Sequence, residues 1–151
     1  MSDETPPMSP EGSAWVGQRF SRQVTLTRAE IANFATLCGD FNPLHHDEDY
    51  ARRSRFGGII ACGPHTTALM MAMTATYFSR TNGILGLEFT VRFRKAVYAD
   101  DTINMEWEIA TAHPKASMGG TLVTLEGTIT NQHGQIVLTG IGKLLVTEKL
   151  A

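Results

Sequence analysis

The chain has 151 residues, 42% hydrophobic and 19% charged, with a formal net charge of −2 and a pI near 6.2. That size and balance fit one domain with its own core and exclude a disordered chain. No general basic field is present, which excludes broad nucleic-acid binding but leaves room for a local basic spot under a phosphorylated ligand. No apolar run approaches the roughly 18 residues of a membrane span. The start, MSDETPPMSPEGS, is acidic and proline-rich and lacks the basic head and apolar centre of a signal peptide. Residues 1–14 therefore read as a flexible arm and 15–151 as a single domain. Cys38 and Cys62 have no metal-like spacing, and reduced thiols in the cytoplasm are the expectation.

In chain order, the first element is a short strand over Gln23 to Leu26. Thr27 and Glu30 then form a T-x-x-E capping box. Ile31, Phe34, Ala35 and Cys38 follow at i, i+3, i+4 and i+7, which predicts a helix with that face buried. Gly39 and Asn42-Pro43 end it. A short helix over Asp47 to Arg53 comes next. FGGII leads into a second helix from Gly63-Pro64 to about Ser79, apolar nearly all round and so expected to be buried on several sides. After Asn82 the pattern turns to period two: Leu85, Leu87, Phe89, Val91 and Phe93, then Ile103 to Ile109, then Val123 to Ile129, then Ile136 to Val146. The turns are Ala99-Asp100-Asp101, HPKASMGG and NQHGQ. Successive strands with short turns predict an antiparallel meander. The class is α+β, and the economical packing wraps that sheet around the long helix, a hot-dog fold.

The chemistry-bearing stretch is CGDFNPLHHDEDY, residues 38–50. Asp40 and Asn42-Pro43 can serve as helix punctuation, because Asp and Asn make side-chain turns. HHDED invites a metal reading, but it lacks the i, i+4 histidine pair of zinc enzymes, and no metal is expected. The third reading is catalytic. Backbone amides at the head of the second helix are unpaired and carry partial positive charge. Gly63 lets a ligand approach them closely, so the site can stabilise an oxyanion on a thioester carbonyl. A carboxylate and an imidazole beside it can hold and activate one water.

Several pieces together resemble the MaoC-like dehydratase family, which includes the (R)-specific enoyl-CoA hydratases. They are D-x-N-P-x-H at Asp40, Asn42, Pro43 and His45; F-G-x-x-I-A-x-G at Phe56, Gly57, Ile60, Ala61 and Gly63; R-F-x-x-x-V at Arg92, Phe93 and Val97; and Asp101-Thr102. The resemblance spans Phe20 to Val146. It implies a hot-dog homodimer that reversibly adds water to a trans-2-enoyl thioester, without a metal or redox cofactor and with coenzyme A as part of the substrate. It assigns Asp40 and His45 to binding and activating the water, Asn42 to orienting them, and the Gly63 amide to the thioester carbonyl. Which of Asp40 and His45 removes the proton stays open.

The chain departs from the family at Pro64-His65, where many members carry Met-Leu. Proline removes one backbone donor and leaves the oxyanion site to Gly63, while His65 is expected to line and repolarise the pocket. Ala99-Asp100 stands where a glycine is common. Cys62 is expected against the substrate as a packed thiol rather than a nucleophile. His46 reads as a surface residue or one just behind the site, and His113 and His133 as solvated residues of predicted turns. Arg52, Arg53, Arg55, Arg94 and Lys95 are candidates for coenzyme A phosphates, with Arg55 and Lys95 foremost. The rival readings are a thioesterase on the same scaffold and a non-catalytic acyl-CoA binding module.

Overall fold

The computed structural model describes residues 15–149. The expected arm, residues 1–14, and the last two residues of the expected domain lie outside the described residues. The elements are β1 (Arg19–Thr25), α1 (Arg28–Cys38), a 3-10 turn (Pro43–His45), α2 (Glu48–Arg53), α3 (Gly63–Ser79), β2 (Asn82–Phe93), β3 (Thr102–Lys115), a second 3-10 turn (Ala116–Met118), β4 (Gly120–Thr130) and β5 (Ile136–Glu148).

The strands form one antiparallel sheet in the order β1-β3-β4-β5-β2. α3 lies on one face of it, which is the hot-dog arrangement. What seats the helix is an indole over a glycine trough. Trp107 pairs with Gly127, which pairs with Gly140, which pairs with Val91. Residues directly opposite one another share a face, so one row across four strands carries a large ring and two hydrogens. A Cβ at Gly127 would sit 2.5 Å from the Trp107 ring and 2.6 Å from the Met70 methyl. The Trp107 Nε1–H donates to the Met70 carbonyl of α3 at 2.9 Å. Removing this indole costs about 3–5 kcal/mol by the usual range for buried aromatics.

Four expectations need correction. The meander holds only for β3-β4-β5, because β2 pairs with β5 at the far edge and not with β3. Residues 94–101 therefore cross the end of the sheet, spanning three strand spacings of roughly 4.8 Å each. Hydrogen bonds pin this crossover along its length: Arg94 and Lys95 N–H to the Val137 carbonyl, Ala61 N–H to the Val97 carbonyl, and Asp100 N–H to the Leu26 carbonyl. Asp100, expected where a glycine is common, takes the left-handed φ of 68° itself; aspartate tolerates that region better than most side chains.

Secondly, the alternation from Leu85 to Phe93 does not stay on one face. A bulge between Gly86 and Glu88 inserts Leu87, so Leu85 opposes Leu145 while Phe89 opposes Gly142. A one-residue insertion exchanges faces, and Leu85 ends 59% exposed. Thirdly, His113, Pro114 and Lys115 continue β3, and the turn narrows to Ala116–Met118 with Gly119 in the left-handed region. Fourthly, α3 is covered on one side only. His65, Thr66, Met70, Met73, Thr74, Tyr77 and Phe78 are buried, while Met71, Ala72, Ala75 and Thr76 face outward in the single chain. α1 likewise buries Ile31 and Ala35 but leaves Cys38 exposed.

Candidate active site

α1 delivers Asp40 through its C-terminal turn. The capping box is formed at its start, with the Thr27 hydroxyl accepting from Glu30 N–H and the Glu30 carboxylate accepting from Thr27 N–H. At its end Gly39 adopts φ 80°, Gly39 N–H donates to the Thr36 carbonyl, and Asp40 N–H donates to the Ala35 carbonyl. This paired closure is a Schellman motif, and it fixes the direction in which the chain leaves. Asn42 then locks the next step. Its backbone N–H donates to Asp40 Oδ1 at 3.1 Å, and its own Oδ1 accepts from Leu44 N–H at 3.1 Å, capping the 3-10 turn.

The result is a directed pair. Asp40 Oδ1 is occupied by Asn42, so Oδ2 is the oxygen that faces His45 Nε2, at 3.3 Å. The His45 Nδ1 lies 2.7 Å from the Ile60 carbonyl oxygen. A carbonyl only accepts, so Nδ1 carries the hydrogen, and in the neutral ring Nε2 presents a lone pair. Two acceptors facing each other at that distance call for a shared proton or a water donating to both. The imidazole is buried, with 6% of its side chain exposed, while Asp40 retains 31%. The site is therefore closed behind the histidine and open in front of the carboxylate.

The other half comes from the head of α3. Ile60 N–H donates to the Leu44 carbonyl, which ties this segment to the aspartate turn, and Ala61 N–H ties it to the crossover. Cys62 is the N-cap residue, with no side-chain capping bond. The Gly63 N–H takes no acceptor among the described residues, and Pro64 supplies none. The Phe93 ring rests on Gly63: a Cβ there would lie 2.9 Å from Phe93 Cζ. Burial, foremost, pushes the Cys62 thiol up from its ordinary pKa, with the nearby Cys38 and Asp40 adding to the shift. That favours a neutral, packed thiol in the resting site over a nucleophile that attacks substrate.

A cleft of about 400 Å³ is lined by Asn42, His45, Cys62, Gly63, Phe93, Val97 and Leu138. A second, more polar cleft of about 500 Å³ is lined by Arg55, Arg94, Lys95, Asn131 and His133. The two share Phe56, Arg94, Lys95 and Ala96. Among the described residues, no three or more His, Cys, Asp and Glu side chains converge as a metal-ligating group. No helix there is long and apolar enough to cross a membrane.

Residues 15–131 match the family described as MaoC like domain. The chain belongs to that family. A 3-hydroxybutyryl-CoA dehydratase of Methylorubrum extorquens is 31% identical over 90 residues, 60% of this chain and 57% of that protein, so the match spans little more than half of that relative. An (R)-specific enoyl-CoA hydratase of Aeromonas caviae is 28% identical over 125 residues, covering 83% of this chain and 90% of that one. Among solved structures, R-hydratase PhaJ1 from Pseudomonas aeruginosa in the unliganded form superimposes with a TM-score of 0.79 at 30% identity, over 88% of this chain and 82% of that chain. These named relatives are enzymes that add or remove water, and the MaoC-like assignment places this chain with them as a hydro-lyase.

Within the MaoC-like domain the expected site residues divide into three groups. Asn42, His45, Cys62 and Gly63 line the first cleft, and Asp40, which is not part of that lining, joins them through His45 Nε2 at 3.3 Å. Arg55 and Lys95 line the second, joined by Arg94, while Arg52 is engaged with Glu48 and Asp49 on α2. His65 does not line the first cleft. At about 100° per residue it points some 200° around α3 from Gly63, and it stacks on Phe34 of α1 with ring centroids 4.3 Å apart and planes 2° apart. It is buried, its Nδ1 has no partner among the described residues, and burial holds its pKa below the ordinary 6.5, with Glu30 opposing. His46 turns away, its Nε2 on the Asp40 carbonyl. Phe93 and the hairpin residues Asn131 and His133 were not expected at either cleft. Phe93 reaches the first cleft from the end of β2, and Asn131 and His133 reach the second from the β4–β5 turn, placements that period-two patterning does not encode.

Proposed function

We propose that the chain is an (R)-specific enoyl-CoA hydratase, or 3-hydroxyacyl-CoA dehydratase in the reverse direction, working without metal or redox cofactor. The observation that carries this reading is the Asp40 Oδ2 and His45 Nε2 pair, with the opposite imidazole nitrogen locked by a carbonyl, facing a cleft headed by the Gly63 N–H. In the forward direction one water lies against both the carboxylate and the imidazole, on the cleft side of the pair. Its oxygen bonds to the β-carbon as one of its protons passes to the Asp40–His45 pair. The carbon–carbon π electrons move toward the thioester, and the Gly63 N–H stabilises the charge on the carbonyl oxygen. A proton from the same pair then reaches the α-carbon. Water addition is redox-neutral, so the step calls for no electron carrier. The polar cleft supports coenzyme A as carrier: Arg55, Arg94 and Lys95 face it, and phosphates seek such groups.

The same reading includes a homodimer in the cytoplasm. β2 is an edge strand with Leu85 59% and Phe93 60% exposed, and the outward face of α3 carries Met71, Ala72 and Ala75. An uncovered apolar edge of this kind favours a second copy.

The test follows loss of the conjugated-thioester absorbance with a panel of trans-2-enoyl-CoAs, for wild type and Asp40→Asn, with free thiol monitored in parallel. Absorbance lost only with wild type, and no thiol released, is the expected result. Thiol release would move the reading to a thioesterase, and tight binding with no turnover would move it to a binding module.

A further inference from the structure

The chain's only two cysteines lie on opposite sides of one helix seam. The rung at one end of that seam is the Phe34–His65 stack. Cys38 is four residues beyond Phe34 on α1, and Cys62 is three residues before His65 at the head of α3. Beyond it the two segments converge: Asp40, two residues after Cys38, lies 3.3 Å from His45 Nε2, and His45 Nδ1 holds the carbonyl of Ile60, two residues before Cys62, at 2.7 Å, so both cysteines stand at the same end of the seam. Their proximity shows independently, because the Cys38 thiol is among the groups that act on the Cys62 thiol. The two are unlike in access. Cys38 is exposed, its Sγ 3.5 Å from the Ala35 carbonyl, while Cys62 is buried and lines the reaction cleft.

We propose that Cys38 and Cys62 are a modification site: under peroxide they close to an intramolecular disulfide that switches the site off. Cys38 is the sensing thiol because it is accessible. Its sulfur attacks the peroxide, giving a sulfenic acid and one water. Cys62 Sγ then bonds to Cys38 Sγ, and the sulfenic hydroxyl leaves with the Cys62 proton as a second water. Two thiols lose two electrons and two protons, and the peroxide is reduced. The consequence for the site follows from where the two residues stand. Cys62 is the N-cap whose backbone aims the Gly63 N–H, and Cys38 is two residues ahead of Asp40. A disulfide fixes the two Cβ atoms roughly 3.5–4.5 Å apart, so closing it ties the Asp40 turn and the Gly63 helix head to one rigid link. A thioether or hydroxyl in either position could not do this.

The experiment treats the full chain with hydrogen peroxide under native conditions, alkylates the remaining thiols, and reads intact mass and peptides. The expected result is an intact mass lower by about 2 Da with no alkylation, and a single cross-linked peptide pair holding Cys38 and Cys62, reversed by dithiothreitol. In the activity arm, which rests on the hydratase reading, turnover falls about tenfold or more and returns on reduction. Cys38→Ser keeps basal turnover and resists the same dose. Two thiols still open to alkylation, a sulfinic Cys38 without the cross-link, or a Cys38–Cys38 link between chains would each overturn the pair. A disulfide that leaves turnover unchanged would overturn the switch. The mass readout needs no substrate, so failure of the hydratase reading leaves it intact.

Discussion

The turn that carries Asp40 and His45 and the helix head that carries Gly63 face each other across one cleft, yet they are held by different kinds of contact. The turn is fixed by short-range bonds: Gly39 and Asp40 closing α1, Asn42 reaching back to Asp40 and forward to Leu44. The helix head is fixed by residues far away in sequence, with Phe93 resting on Gly63 and Val97 holding Ala61. One half of the site is thus local chemistry that a short peptide pattern can specify. The other depends on the whole sheet being built first.

The largest expected effect lies on the turn. Asp40→Asn or His45→Ala should lower turnover by about 10²–10⁴-fold, the usual worth of positioned acid–base groups, with circular dichroism and melting temperature little changed. A variant that unfolded instead would show the turn to be structural punctuation. Next comes the helix head. Gly63→Ala should lower turnover by roughly 10–100-fold, since one missing oxyanion donor costs up to about 10²–10³ and here the donor is only displaced. Phe93→Leu in the same chain should restore part of that loss, because the Phe93 ring is what the new Cβ meets at 2.9 Å. Additive rather than compensating losses would break the link between the crossover and Gly63.

Asn42→Ala separates the two halves on a finer scale. It removes the cap on Leu44 N–H, worth about 1 kcal/mol in a melt, but keeps the backbone N–H that holds Asp40. Stability should fall by that amount and turnover by less than with Asp40→Asn. The smallest effect is a pH slope at the seam. Burial depresses His65 below 6.5 in the folded chain, so the unfolded chain binds that proton more readily. Stability should decline as pH falls through about 6.5 and the contribution should level off below the folded value; above 6.5 it is fully present. His65→Phe, which keeps a ring on Phe34, should flatten this part of a melting-temperature profile, and an unchanged slope would remove His65 from the account.

The contrast also explains what the sequence made legible. The capping box, the Gly39 stop and the Asp-Asn-Pro-His turn are local signals, and they form as read. The long helix and the period-two strands were equally visible. The strand order was not, because pairing β2 with β5 is decided by α3 and the crossover rather than by turn length. The Leu87 bulge hides inside an unbroken alternation, since the pattern of side chains is the same whether or not one residue is extra. His65 was misplaced for a related reason: adjacency to Gly63 in sequence is opposition on a helix. Arg55 and Lys95 stood out only as members of a charge run, and the folded crossover sets them beside Arg94.

Trp107 and Trp15 are the chain's only tryptophans, and both are buried. Trp107 donates to α3 at Met70, and Trp15 packs edge-on against Phe78 near the far end of the same helix. The glycine trough that seats one indole therefore gives the molecule a built-in optical probe. Its intrinsic emission comes from two reporters, one at the middle of α3 and one near its C-terminal end, both shielded from water while the helix lies on the sheet. A shift of that emission to longer wavelength reports the lifting of α3 itself, before any substrate is known and without a label.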